Sequence, residues 1–185
     1  MARPPDVPAR VAWAVDLLDP RPDDVVLEVG GGPGVSASLV CARLTTGRLV
    51  EVERSPVAVA RTRARAADHV DAGRLVLVEG ALASARLEPS SVDRALALDV
   101  GAFWAADPAA ELDVLARALR PGAPLLVLYG AGSPTGPGRV VPVVRAALGR
   151  HGFVDVRTVE AAEGWGVTAR RAPAALSEPT GTLPA

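Results

Sequence analysis

Residues 25–34, Val-Val-Leu-Glu-Val-Gly-Gly-Gly-Pro-Gly, constrain this chain more than any other stretch. A short apolar run bounded by turn residues reads as a buried parallel strand. Here the run carries an acid, Glu28, and passes straight into a turn containing Gly30, Gly32 and Gly34. Glycine admits positive φ and lets a ligand approach the backbone, because no Cβ stands in the way. A helix expected from Val35 to Leu44 points its free N–H groups into that turn. Strand, acid, glycine turn and helix together predict a nucleotide-shaped pocket.

The rest of the chain continues the alternation. An amphipathic lead helix is expected over residues 8–18, with Val11, Trp13, Val15, Leu17 and Leu18 as its apolar residues. Further strands are expected at Arg48–Glu53, Arg74–Val78, Val92–Leu98 and Pro124–Tyr129. The intervening helices run from Pro56 to about Ala67, where Ser55 caps and proline takes the first position, and from Asp107-Pro108 to Leu119. After a Gly/Pro-rich loop, Gly130 to Gly138, a helix from Val140 to Arg150 leads to two last strands, Phe153–Val159 and Trp165–Arg170. Apolar strands separated by helices predict an α/β fold, a doubly wound, mostly parallel sheet covered on both faces. Right-handed connections gather the loops after the strands on one edge. Glu28, the glycine turn, Glu53, Gly80-Ala81-Leu82, Asp99 and the loop after Tyr129 then converge there. Residues 1–171 read as one domain and 172–185 as a disordered Pro/Ser/Thr-rich tail.

Composition narrows the chemistry. The 185 residues are 49% hydrophobic and 22% charged, a globular balance with one core. Every one of the 20 cationic side chains is arginine, so a Walker A lysine, a Schiff-base lysine and a lysine base are all excluded. The single cysteine, Cys41, excludes internal disulfides, and with two histidines no Cys/His metal site is expected. A net charge of -1 gives no general reason to bind nucleic acid or an anionic membrane. No signal-like or membrane-spanning run is visible, and the chain is expected to be cytoplasmic.

Two readings of the glycines compete. The dinucleotide pattern G-x-G-x-x-G/A fits the frame Gly32-Pro33-Gly34-Val35-Ser36-Ala37. In that frame Glu28 lies close to a diphosphate, which like-charge repulsion opposes. A cationic ammonium or sulfonium ligand reverses the sign. Glu53, about 20 residues past the glycines, can accept both ribose hydroxyl hydrogens under either reading. The plain alternatives are a solvated strand end for Glu53 and a cap or salt-bridge partner for Glu28.

From Val11 to Arg170 the chain resembles the class I S-adenosylmethionine-dependent methyltransferases. Val-Leu-Glu-Val-Gly-Gly-Gly-Pro-Gly (26–34) is similar to the first motif of that family, whose acid and glycines hold the methionine part of the cofactor. Leu-Val-Glu-Val-Glu-Arg-Ser-Pro (49–56) is similar to the second, implying Glu53 on the ribose with Arg54 beside it. Ser-Val-Asp-Arg-Ala-Leu-Ala-Leu-Asp (91–99) matches the fourth-strand motif, and Leu119-Arg-Pro-Gly122 the turn before strand five. The resemblance implies a seven-stranded Rossmann-like sheet ending in an antiparallel hairpin. It also implies S-adenosyl-L-methionine as cofactor and S-adenosyl-L-homocysteine as product. One position departs: Ala81 stands where the family commonly has an Asp on the adenine amino group, at a cost of about 1 kcal/mol in lost hydrogen bonding. Leu82 remains as an apolar wall for the base.

Asp99 is the candidate catalytic residue, placed to orient an acceptor amine or hydroxyl; its plain alternative is a loop cap. Phe103 and Trp104 could wall the acceptor or simply pack, and Tyr129 could donate to it or sit at the core edge. Trp13 could lie over the site or anchor the lead helix. His69, His151 and Cys41 read as non-catalytic. Asp99-Val100-Gly101-Ala102 lacks the Pro-Pro-aromatic run of adenine- and cytosine-amino methyltransferases. The expected acceptor is a small molecule, with a homodimer as one way to complete its site. The alternative is a degenerate partner protein that binds the cofactor without transferring its methyl group.

Overall fold

The computed structural model describes residues 7–173. Its sheet has the strand order β3-β2-β1-β4-β5-β7-β6. The strands are β1 (Val25–Val29), β2 (Arg48–Glu53), β3 (Leu75–Glu79), β4 (Arg94–Leu98), β5 (Pro124–Gly130), β6 (Phe153–Ala161) and β7 (Gly164–Arg171). The first five pair in parallel, and β7 inserts antiparallel between β5 and β6. From β1 the chain winds outward to β3, then returns to β4 on the other side of β1. The crevice beyond the carboxyl ends of β1 and β4 is therefore the topological switch point, where doubly wound sheets bind ligands.

Helices α1 (Ala9–Leu18), α2 (Val35–Cys41), α3 (Pro56–Arg65) and α4 (Ala67–Asp71) precede β4, while α5 (Ala102–Ala105), α6 (Ala109–Ala118) and α7 (Pro137–Arg150) follow it. Two apolar layers result from the period of two along each strand. Val26, Leu49, Leu96 and Leu126 pack with Ala14 and Val15 of α1 and Val40 of α2. Leu27, Val29, Ala97 and Val127 pack on the opposite face with Leu115 of α6 and Val144 of α7. Glu28, Glu51 and Glu53 share the parity of the first layer, so their carboxyls point to the face covered by α1, α2 and α3. At the edge of the sheet β6 is mostly exposed, charged and irregular between Val154 and Arg157, features that discourage pairing with a second sheet.

The opposite end of the sheet is tied by acids at the strand entries. Asp24 accepts the Arg21 N–H at 2.8 Å and pairs with Arg94, whose Nη1 also donates to the Leu18 carbonyl at 3.1 Å. Asp93 accepts the Val25 N–H at 2.8 Å and pairs with Arg120.

Several boundaries differ from the sequence expectation. Val92 forms an isolated bridge to Leu119, and β4 proper begins at Arg94. The helix expected to end near Leu44 stops at Cys41. The helix from Pro56 breaks at Ala66, and the separate α4 follows. The helix expected from Val140 begins one turn earlier, with Pro137 in its first turn. The four-residue α5 was not expected; without a strong period it has no local signature. The tail expected to be disordered lies, from residue 174 on, outside the described residues. Among the described residues, no helix is long and apolar enough to cross a membrane.

Candidate active site

The glycine turn closes the carboxyl end of β1. Gly30, Gly32 and Gly34 have φ of 73°, 58° and 75°, in the left-handed region that glycine occupies without strain. Gly30 and Gly34 are also sterically required, since a Cβ would meet Val100 Cγ2 and Thr62 Cα, each at 2.8 Å. Around Gly32 a Cβ would meet nothing, so its backbone faces open space. Gly34 is the residue before the first turn of α2, and that helix starts without a side-chain cap. Its N-terminal N–H groups are thus left to the crevice.

Glu28 is 2% exposed, and its Oε2 has no hydrogen-bond partner. Burial, reinforced by Glu51 next to it on β2, pushes the Glu28 carboxyl up to about 8. A buried carboxyl with a free oxygen beside an open glycine turn is chemically complementary to a cation. Glu53 is anchored at the end of β2. Its Oε1 accepts the Ser55 N–H at 2.8 Å and its Oε2 the Gly32 N–H at 3.3 Å, which leaves further lone pairs toward the crevice. Ser55 in turn caps α3 by accepting the Ala58 N–H.

Asp99 closes β4 with φ 60°. Its Oδ1 accepts the Gly130 N–H at 2.8 Å, and its Oδ2 accepts Arg10 Nε at 3.0 Å. Three cavities meet at this carboxylate. One of about 230 Å³ is lined by Glu28, Gly30, Gly32, Ser36 and Arg10. A second, about 590 Å³, is lined by Glu53, Arg54, Ala81, Leu82, Val100 and Phe103. The third, about 450 Å³, is lined by Arg10, Trp104, Tyr129, Gly130 and Ser133.

The residues singled out from the sequence thus fall into two groups. Glu28, Gly30, Gly32, Glu53, Arg54, Ala81, Leu82 and Asp99 all line this connected space, whereas Gly34 supports it from behind. Phe103 is a core residue that borders the second cavity, and Trp104 is half-buried at the third with Arg139 above its ring. Tyr129 is buried, stacks on Trp165 with ring centroids 4.8 Å apart, and donates its hydroxyl to the Val100 carbonyl at 3.0 Å. Burial and then Asp99 raise its phenol well above the ordinary range. Trp13 packs against Gly164, so it anchors α1 to the hairpin. His69 lies by Arg74, and His151 pairs with Asp113 at 3.0 Å, both away from the three cavities. Burial pushes the Cys41 thiol up to about 12, as suits an inert apolar residue. Ala81 brings no acid to the second cavity, and its carbonyl already accepts both the N–H and the hydroxyl of Ser84.

Two residues at or beside the candidate site escaped the sequence reading. Arg10 is one: its stem lies over Gly130, where a Cβ would collide with it, and its guanidinium reaches Asp99. No local signal marks an arginine on a lead helix as a partner for a residue 89 positions away. Glu51 is the other. It sits mid-strand among apolar residues and is 0% exposed, an acid that a buried strand does not need for packing.

Comparison with known proteins identifies the architecture. The profile of a family described as "Methyltransferase domain" matches residues 26–122, more than half of the chain. This chain is a class I S-adenosylmethionine-dependent methyltransferase domain. The match begins one residue into β1 and ends at the turn before β5, so it contains the acid, the glycine turn, Glu53 and Asp99. A protein-L-isoaspartate O-methyltransferase from Methanopyrus kandleri is 48% identical over 50 residues, which cover 26% of this chain and 22% of that relative. Two solved structures share the fold of the methyltransferase domain. A methyltransferase from Aquifex aeolicus superposes with a TM-score of 0.73 at 19% identity, covering 90% of this chain and 94% of that one. An O-methyltransferase from Thermotoga maritima gives a TM-score of 0.72 at 16% identity, covering 93% and 68%.

Proposed function

We propose that this domain transfers the methyl group of S-adenosylmethionine to a small acceptor held beside Arg10, Trp104 and Tyr129. The observation that carries this reading is the meeting of three cavities at Asp99. In it, Glu28 and the open backbone at Gly32 face the cationic methionine part of the cofactor, the first with an unpartnered buried oxygen. Glu53 accepts from the ribose hydroxyls, Arg54 lies at the rim, and Leu82 and Phe103 form apolar walls for the base. Adenine then receives no side-chain acid at Ala81 and is held by stacking and shape. When bound, the cofactor would supply a methyl group on a sulfonium, whose carbon an acceptor nucleophile takes while the neutral thioether leaves as S-adenosylhomocysteine.

The chain's own contribution is alignment and exclusion of water. Asp99 is held by the Gly130 N–H on one oxygen and by Arg10 on the other, which fixes its direction and suits it to orienting the acceptor. Through Arg10 it fixes the wall shared by the first and third cavities. The remaining guanidinium N–H groups of Arg10 and the Ser133 hydroxyl can hold a polar group of the acceptor, while Trp104 and Tyr129 cover its apolar body. A cavity of about 450 Å³ suits a small molecule.

The experiment is transfer of labelled methyl from S-adenosylmethionine to a panel of small acceptors, with cofactor affinity measured in parallel by calorimetry. Trp104→Ala is expected to lower transfer at least tenfold while leaving cofactor affinity within about twofold. Tight cofactor binding with label passing only to protein or nucleic acid would overturn the small-acceptor reading.

A further inference from the structure

Glu51 has no place in the scheme above, yet among the described residues it is an acid buried, at 0% exposure, with neither carboxyl oxygen given a hydrogen-bond partner. In the parallel β1–β2 ladder it is the register partner of Glu28. Neighbouring strands lie only about 4.8 Å apart, so the two carboxyls stand side by side on one face. The glycine turn lies directly on top of it, because a Cβ at Gly31 would collide with Glu51 Cδ and both oxygens. Gly31 lacks the positive φ of Gly30, Gly32 and Gly34, so the contact that a larger side chain there would have to displace is the Glu51 carboxyl.

The groups facing Glu51 from the surrounding elements offer no counter-charge. They are Glu28 of β1, Glu53 at the end of its own strand, the neutral Cys41 thiol of α2 and Thr62 of α3. The Thr62 hydroxyl is near enough to ease the Glu51 carboxylate, but its proton goes to the Gly32 carbonyl at 3.2 Å. No arginine or histidine pairs with Glu28 or Glu51 among the described residues. Two adjacent buried carboxylates without a cation cannot both stay ionised.

We infer that Glu51 is a positioning residue for Glu28: the pair shares a proton in the free protein and releases it when a cationic cofactor arrives. The inference rests on the placement of Glu28 against the methionine part of S-adenosylmethionine. The proton lies between the two carboxyls and leaves to solvent as the ligand's ammonium takes up the charge-compensating position. Binding is then linked to pH, with affinity rising as the solution takes the proton. Burial pushes Glu51 up to about 7, with Glu53 adding to it, which places the linkage near neutrality.

The test is calorimetry of the full chain with S-adenosylmethionine at pH 6, 7 and 8, in two buffers of different ionisation enthalpy. Wild type is expected to release a substantial fraction of a proton near pH 7 and to bind several-fold more tightly at pH 8 than at pH 6. Glu51→Gln keeps the shape, removes the second charge and offers Glu28 an amide donor. It is expected to release a smaller fraction of a proton than wild type near pH 7 and to show a weaker rise of affinity from pH 6 to pH 8, since burial alone still holds Glu28 up. The free cofactor's amino group titrates identically in both experiments, so the difference between the two proteins reports the change made at Glu51. Wild-type binding without any buffer dependence, or full proton release retained in Glu51→Gln, would overturn the inference. If the variant fails to fold, wild-type binding without buffer dependence still overturns the inference. Absence of binding at every pH to folded protein would instead remove the placement of Glu28, and this inference with it.

Discussion

Glu53 and Ala81 show how single side chains set the grip on the nucleotide. Glu53 is held by two backbone N–H groups and presents its remaining lone pairs to the second cavity. Hydrogen bonds to a charged group contribute about 1.5–3 kcal/mol, so Glu53→Ala is expected to weaken cofactor binding about tenfold to hundredfold. Calorimetry measures this, and wild-type affinity in the variant would refute the ribose contact. The converse change tests the missing adenine contact. Ala81→Asp is expected to tighten binding about five- to tenfold, by adding one hydrogen bond to a partly exposed base edge. Glu28, Glu53, the glycines and Asp99 were legible as candidates for one crevice because their positions near strand ends are local features of the chain. The partner of each was not. That Asp99 is engaged by Arg10 and Gly130, and that Glu28 stands beside Glu51, follow from pairings between segments far apart in sequence.

Among the elements, some boundaries marked by proline, serine or glycine were readable, though Pro137 at the start of α7 was not, and those without punctuation were not. Ser55-Pro56 starts α3 where expected, with the serine side chain capping the Ala58 N–H. Ser55→Ala is expected to destabilise the protein by about 1 kcal/mol, read as a shift in the denaturation midpoint. The break at Ala66 and the four residues of α5 carry no such mark, since only packing stops or allows so short a helix. At the strand entries Asp24 and Arg94 lie in contact with side chains only 10% and 14% exposed. Removing one partner of a buried pair leaves the other charge uncompensated, at about 3–5 kcal/mol. Arg94→Ala is accordingly expected to lower stability by that amount in urea unfolding, while Arg94→Ala with Asp24→Asn recovers part of it.

Stability against pH is a property of the folded chain as one cooperative unit. The Glu28 and Glu51 carboxyls are raised from 4.5 in an ordinary setting to about 8 and about 7 in the fold. Between those limits the folded state binds more protons than the unfolded one, so stability falls as pH rises. The free protein is therefore expected to melt at a lower temperature at pH 8.5 than at pH 6, and S-adenosylmethionine is expected to offset the loss. A melting temperature that rises over that interval would contradict the burial of two unpaired acids.

The order of the strands and of the longer helices, the glycine turn and the acids at the ends of β1, β2 and β4 could all be taken from the chain alone. Apolar runs, caps and breakers act within a few residues, and the right-handed crossover then leaves few topologies to choose among. Folding in three dimensions settled which faces meet. The register of β1 on β2 set Glu51 against Glu28 and beneath Gly31, the lead helix delivered Arg10 to Asp99, and Trp13 found Gly164. Each of these contacts joins residues with no local relation. Its energy exists only once burial has removed water and brought distant faces together.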